Sequence, residues 1–167
     1  MQTLTSLTLA ERLNQTNKRK GVFFMPYAPS HSQRISVQSE DVLVVAQGED
    51  IHKMVNAQAQ MGPTVTVFLN LEPVAVFGFV RIWHGVVEAW MVPDEKLRSI
   101  PMTLTRIGKK VMDIAMISMG LHRIQLTIRT TDKRAENWAY AIGFDCEGLM
   151  RKYGADGVDY LLMARIR

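Results

Sequence analysis

Apolar positions in this chain change period along its length, and each change marks an element. Thr64-Val65-Thr66-Val67-Phe68-Leu69 is an unbroken run of β-formers, and Asn70 to Pro73 has turn chemistry. Val74 to Ile82 repeats the strand pattern. His84-Gly85 predicts a turn into Val86-Val87-Glu88-Ala89-Trp90-Met91-Val92. Three strands joined by short turns predict an antiparallel meander. The period then shifts to that of a helix. Leu104, Ile107, Val111, Ile114, Ala115 and Ser118 share one face, with Arg106, Lys109, Lys110 and Asp113 off it. Gly120 stands where a left-handed cap belongs. Strand alternation returns at Ile124, Leu126 and Ile128, set against Arg123, Gln125, Thr127 and Arg129. A helix between two strands predicts a crossover and a parallel pair. Asp132 caps a second helix with the stripe Ala135, Trp138, Ala139 and Ile142. Two last strands, near Phe144–Lys152 and Val158–Ile166, join at Asp156-Gly157.

The first part of the chain patterns less clearly. Residues 1–34 are rich in Thr, Ser, Asn and Gln. Thr8-Leu9-Ala10-Glu11 matches a capping box and predicts a short helix to about Lys18, ended by Gly21. Val22-Phe23-Phe24-Met25 is a brief apolar run stopped by Pro26 and Pro29. This region reads as an N-terminal extension that packs only partly, ahead of a domain spanning 35–167. Arg34-Ile35-Ser36-Val37 suits a short strand, and Glu40 to Gln47 suits a strand or a helix equally. Asp50 is the expected N-cap of a helix with Ile51, Met54 and Val55 on one face, stopped at Gly62-Pro63. The sum is an α+β architecture, a mixed and mostly antiparallel sheet flanked by helices.

Composition narrows the class further. At 167 residues the chain suits one domain with a sizeable core. No apolar run approaches the roughly 20 residues of a membrane helix. A single cysteine, Cys146, excludes an internal disulfide and fits a reducing compartment, so a cytoplasmic protein is expected. Buried placement on a strand is the expectation for that thiol. The net charge of +4 is spread along the chain; the tight cluster Lys18-Arg19-Lys20 has no interleaved aromatics, which argues against a nucleic-acid partner. The sequence carries no metal-ligand cluster, no nucleophile triad and no nucleotide fingerprint.

Several blocks in the last two-thirds, from about Thr64 to Arg167, resemble the GNAT superfamily of N-acetyltransferases. Arg98-Ser99-Ile100-Pro101-Met102-Thr103 falls in the register of that family's Arg-x-x-Gly-x-Gly/Ala loop. Asp132-Lys133-Arg134-Ala135, Ile142-Gly143-Phe144 and Glu147-Gly148 match its later Asn-x-x-Ala, Gly-Phe and Glu-Gly blocks in order and spacing. A narrower likeness, to a phage- and prophage-encoded branch that includes internal virion proteins of short-tailed phages, lies in three segments. They are Glu72 to Gly78, Ala89 to Glu95 and Asn137 to Phe144. The resemblance implies the acyl-coenzyme A N-acyltransferase fold. It also implies acetyl-coenzyme A as acyl donor and direct transfer to an amine on a protein or small molecule. If phage-encoded, the protein would act in the host cytoplasm or in the virion. An acetyltransferase fold kept for binding or virion assembly is the alternative. An exposed edge in the last hairpin would suit pairing between two copies.

The resemblance assigns cofactor contacts to Trp90, Met91 and Val92 on the strand, to Arg98, Ser99, Ile100, Met102 and Thr103 at the helix start, and to Asp132 and Arg134. A helix start offers free N–H groups and a favourable dipole to a pyrophosphate. Pro101 withholds one N–H where the family has glycine, and Thr103 adds a side chain. Trp90 and Met91 equally suit plain packing. The resemblance makes Glu88 the candidate general base, since it falls on the strand that carries a catalytic Glu in several branches of the family, and it alternates away from Val87, Ala89 and Met91; an ordinary charge on the wet face of a strand shows the same spacing. The family's acid tyrosine falls at Ala139 here. Tyr140 is one position on, about 100° around the helix, and is the candidate acid only if the helix is turned.

Overall fold

The computed structural model describes residues 4–37 and 50–167. The Glu40 to Gln47 run lies outside them. In chain order the elements are α1 (Ser6–Thr16), β1 (Val22–Pro26), α2 (Pro29–Ser32), α3 (Ile51–Ala59), β2 (Thr64–Leu69), β3 (Glu72–Trp83) and β4 (Val86–Pro93). A 3₁₀ turn, Glu95–Ser99, leads into α4 (Pro101–Met119). The chain closes with β5 (Arg123–Arg129), α5 (Lys133–Ala141), β6 (Asp145–Met150) and β7 (Tyr160–Ile166). The strands form one sheet in the order β1-β2-β3-β4-β5-β7-β6. Every pairing is antiparallel except β4 with β5, where the α4 crossover brings the strands parallel.

Alternation on the strands divides the side chains between two cores. Phe77, Phe79, Val87, Ile124 and Met163 face α1, α4 and α5 and join Leu9, Leu13, Val111 and Ile142 in the larger core. Val76 and Val92 face the other way, onto Val55, Ile35, Met54 and Trp90. Asp50 caps α3 by accepting from the His52 N–H, as its position predicts. Gly120 ends α4 in the left-handed region at φ 63°, with its N–H donating to the Met116 carbonyl.

The N-terminal segment differs from its expected role. Residues expected to pack only partly supply α1 and β1 to the main core, with Leu9 and Leu13 at most 1% exposed. β1 extends the sheet along β2, from Val22↔Leu69 to Pro26↔Val65. The helix also starts earlier than its sequence signal. Thr5 is the N-cap and Thr8 its capping-box partner, because these two hydroxyls satisfy each other's backbone N–H groups. Between Arg34 and Val37 only an isolated bridge forms, Val37 to Asp94. Asp94 is buried there, and its carboxylate accepts from the N–H groups of Ser36 and Lys96.

Candidate active site

The pairing of β4 with β5 is short. Val86, Val87 and Glu88 lie in register with Arg123, Ile124 and Gln125, and then the ladder stops. β4 continues to Pro93 paired only to β3, and β5 continues to Arg129 paired only to β7. The two strands therefore make a fork. Past Glu88, one edge of β4 faces no strand among the described residues, so its N–H and C=O groups on that edge need other partners.

A cavity of about 190 Å³ opens behind the fork on the helix side. Its walls are almost wholly apolar: Ala89, Trp90 and Met91 from β4, Leu126 and Ile128 from β5, Leu104 and Ile107 from α4, Ala135 and Trp138 from α5. Gly108 lets α5 approach, since a Cβ there would stand 2.9 Å from Trp138 and 2.9 Å from Ile142. Toward solvent a wider cleft of about 860 Å³ shares Met91, Pro93, Leu104, Asp132, Ala135 and Trp138 with the cavity. Its rim carries Arg98, Arg129, Lys133 and Arg134 against Asp94, Glu95 and Asp132. A narrow apolar slot thus opens into a cleft with a cationic rim. That shape suits a ligand with an extended arm and phosphates at its far end.

Several expected cofactor contacts meet at this place. Met91 lines the cavity with its side chain, while Trp90 borders it from the strand and packs on the opposite core; Arg98 and Arg134 line the rim, and Asp132 both. Asp132 also caps α5 by accepting from the Ala135 N–H at 2.9 Å. Others are turned elsewhere. Val92 points to the opposite core, because alternation sends even positions of β4 away from the helices. Ile100 is buried in the main core, where the 3₁₀ turn and the helix start fold around it. The Ser99 hydroxyl donates to the Lys96 carbonyl, and Met102 is largely exposed. Thr103 accepts from Arg19 at 2.9 Å, so the basic cluster at 18–20 reaches the start of α4. With Pro101 first in the helix, Met102 and Thr103 keep N–H groups ahead of the Leu104-to-Ile100 bond.

The expected acid does not reach the cavity. Ala139 faces it, 1% exposed, while Tyr140 is 45% exposed and lines neither space. The α5 stripe set by Ala135, Trp138 and Ala139 fixes that rotation. Cys146 is exposed, against its expected burial, because it lies beside a register shift on the edge strand β6.

Glu88 is half-buried at the apex of the fork, on the face opposite the helices. Gln125, its partner in register, donates through Nε2 to Glu88 Oε2 at 3.5 Å. Sequence reasoning passed over Gln125; its strand parity was readable, but its place beside Glu88 needed the β4–β5 register. Arg123 makes a two-pronged bond to Glu147, at 2.9 and 2.6 Å, which holds the Glu147 carboxyl below the usual carboxylate range. At the rim, buried Arg129 bonds Asp156 at 2.7 Å and stacks over Tyr160. That contact pulls the Asp156 carboxyl down and raises Arg129 further above its ordinary value. Among the described residues, no group of His, Cys, Asp and Glu could hold a metal.

The forked sheet with its α4 crossover is the GNAT acetyltransferase fold. A GNAT-family acetyltransferase from Bacillus anthracis superposes with a TM-score of 0.72 at 17% identity, over 89% of this chain and 96% of the other. A ribosomal-protein alanine acetyltransferase from Vibrio fischeri gives 0.64 at 14% identity, over 90% and 95%. A spermidine N-acetyltransferase chimera from Vibrio cholerae gives 0.69 at 11%, over 88% and 96%. No family model matches the chain, and no curated protein matches its sequence.

Proposed function

We propose that this chain is an N-acetyltransferase that takes its acyl group from acetyl-coenzyme A. The observation that carries the reading is the fork, with its open β4 edge leading from a cationic rim to Glu88. When bound, the cofactor supplies an acyl group activated as a thioester. The chain's own residues do the rest. Free backbone groups of β4 past Glu88 would hold the extended arm, and Met91, Leu104 and Trp138 would exclude water around it. Arg98, Lys133 and Arg134 on the cleft would meet the phosphates, with the free N–H groups of Met102 and Thr103 at the start of α4. Glu88 receives the proton that the attacking amine sheds. The acceptor is an amine on a protein or a small molecule.

Calorimetry with acetyl-coenzyme A, beside an assay of thiol release on a panel of amines, tests the reading. Micromolar binding with turnover is expected. No heat at millimolar cofactor would sink it.

A second reading has one observation in its favour. Among the described residues the inner cavity is lined by no tyrosine, histidine, cysteine or lysine, so no side chain there protonates a leaving thiolate. The fold would then serve binding without catalysis. The likeness to phage virion proteins, which rests on sequence blocks alone, would make that role virion assembly. Tight cofactor binding with no turnover on any amine would favour this reading.

A further inference from the structure

Four polar side chains run in a line across the face of the sheet opposite α4 and α5. Glu147 of β6 accepts both terminal nitrogens of Arg123 on β5. The Arg123 Nε donates to Gln125 Oε1 at 3.0 Å, and Gln125 Nε2 donates to Glu88 Oε2. β7 runs between β5 and β6. Its residue in register with both Gln125 and Asp145 is Ala164, whose methyl group leaves the guanidinium room to cross. The register shift in β6 falls between Cys146 and Gly148, so Glu147 is the extra residue and is freed from strict alternation.

The order of donors in this line is forced. A guanidinium has donors and no acceptor. Arg123 must therefore receive the oxygen of the Gln125 amide, which leaves only the NH₂ side to face Glu88. Reversing the amide would set its oxygen against a carboxylate and its NH₂ against a cation. Glu147 in turn holds Arg123 by two prongs, the geometry that fixes a guanidinium in plane.

We propose that Gln125 is a positioning residue for Glu88, with its amide locked in the donating orientation by the Arg123–Glu147 pair. The proposal rests on Glu88 being the base of the proposed acetyl transfer. Gln125 occupies Oε2 and holds the carboxylate at the apex of the fork, so Oε1 is the atom left for the amine. No part of the line touches the cofactor cleft: none of the four residues lines either cavity.

Two variants and one spectrum test it. Gln125→Leu should lower kcat by roughly ten-fold or more, within the range of a displaced general base. Its KM for acetyl-coenzyme A should stay near wild type. The double swap Arg123→Glu with Glu147→Arg restores the ion pair with reversed polarity. The carboxylate now at position 123 accepts from the amide and turns its oxygen toward Glu88, so kcat should remain as low as in Gln125→Leu. Recovery of wild-type kcat in the swap would mean that the pair only ties strands together, and would overturn the proposal. So would full kcat in Gln125→Leu. The side-chain amide resonances of Gln125 need no turnover: they should move in Glu88→Ala and hold still if the amide faces elsewhere. An inactive wild type that still binds cofactor would count against the transferase reading, while the amide spectrum would still decide the geometry.

Discussion

The two halves of β4 share one strand, one alternation and one partner on the β3 side, yet they end in different environments. Val86 to Glu88 is clasped between β3 and β5, with Val87 fully buried. Ala89 to Pro93 is clasped on the β3 side alone, and Ala89 and Met91 border a cavity rather than a filled core. The difference is made by a neighbour that leaves. A ladder spends strand edges on itself, and a site needs an edge unspent. Here the chain keeps both within eight residues, so rigid backbone runs directly into the place where a ligand would pair.

The sharpest way to break this contrast is to empty each half in turn. Ile124→Ala, opposite Val87 and fully buried, should cost about 3–4 kcal/mol in chemical denaturation. Met91→Ala, on the cavity wall, should cost about 1 kcal/mol or less, because little packing is lost beside an existing void. Equal costs would mean that the second half is as closed as the first. Filling the void is the complementary test. Ala135→Leu projects into the space shared by cavity and cleft and should weaken acetyl-coenzyme A binding by roughly thirty-fold or more, with stability changed by about 1–2 kcal/mol. Removing the rim cations in the pair Arg98→Ala and Arg134→Ala should weaken binding about ten-fold at low salt and less at high salt, as screened charges must. Unchanged affinity would place the phosphates elsewhere.

The smallest expected effect concerns acid. Asp156 is held low by Arg129, so its contribution to stability is present above the ordinary carboxylate range and is lost as pH falls through the lower folded value. Asp156→Asn should therefore be less stable near neutrality, and the gap to wild type should shrink as pH drops. Melting curves across the acid range check the sign.

How much of this was legible depended on sequence distance. The meander, α4 and β5 were readable because their periods are local and their turns carry Gly, Asn and Pro. The N-terminal segment was misread because its apolar set, Leu9, Ala10 and Leu13, is thinned by Thr, Asn and Gln on the wet side. Its strand β1 also finds its partner some 40 residues on, at β2. Arg98, Asp132 and Arg134, assigned through the resemblance, all line the cleft. Ile100, Val92 and Tyr140 do not, since one step of strand parity or helix rotation decides between cleft, core and solvent. Gln125 was hidden for another reason: its neighbour across the fork is set by a crossover register that no local pattern encodes.

α1 lies along α4 and is tied to it by side-chain bonds. Arg12 bonds Ser118 near one end, Lys110 bonds the Thr16 carbonyl midway, and Arg19 bonds Thr103 at the other. The leading helix and the loop after it form a splint strapped to the long helix at three points, with the last strap at the N-terminal tip of α4. Trimming the chain at position 35 would strip the splint, expose β2 as a raw edge and leave the tip of α4 unbraced. A partner that gripped α1 would hold, through those straps, a handle on the rim of the cleft.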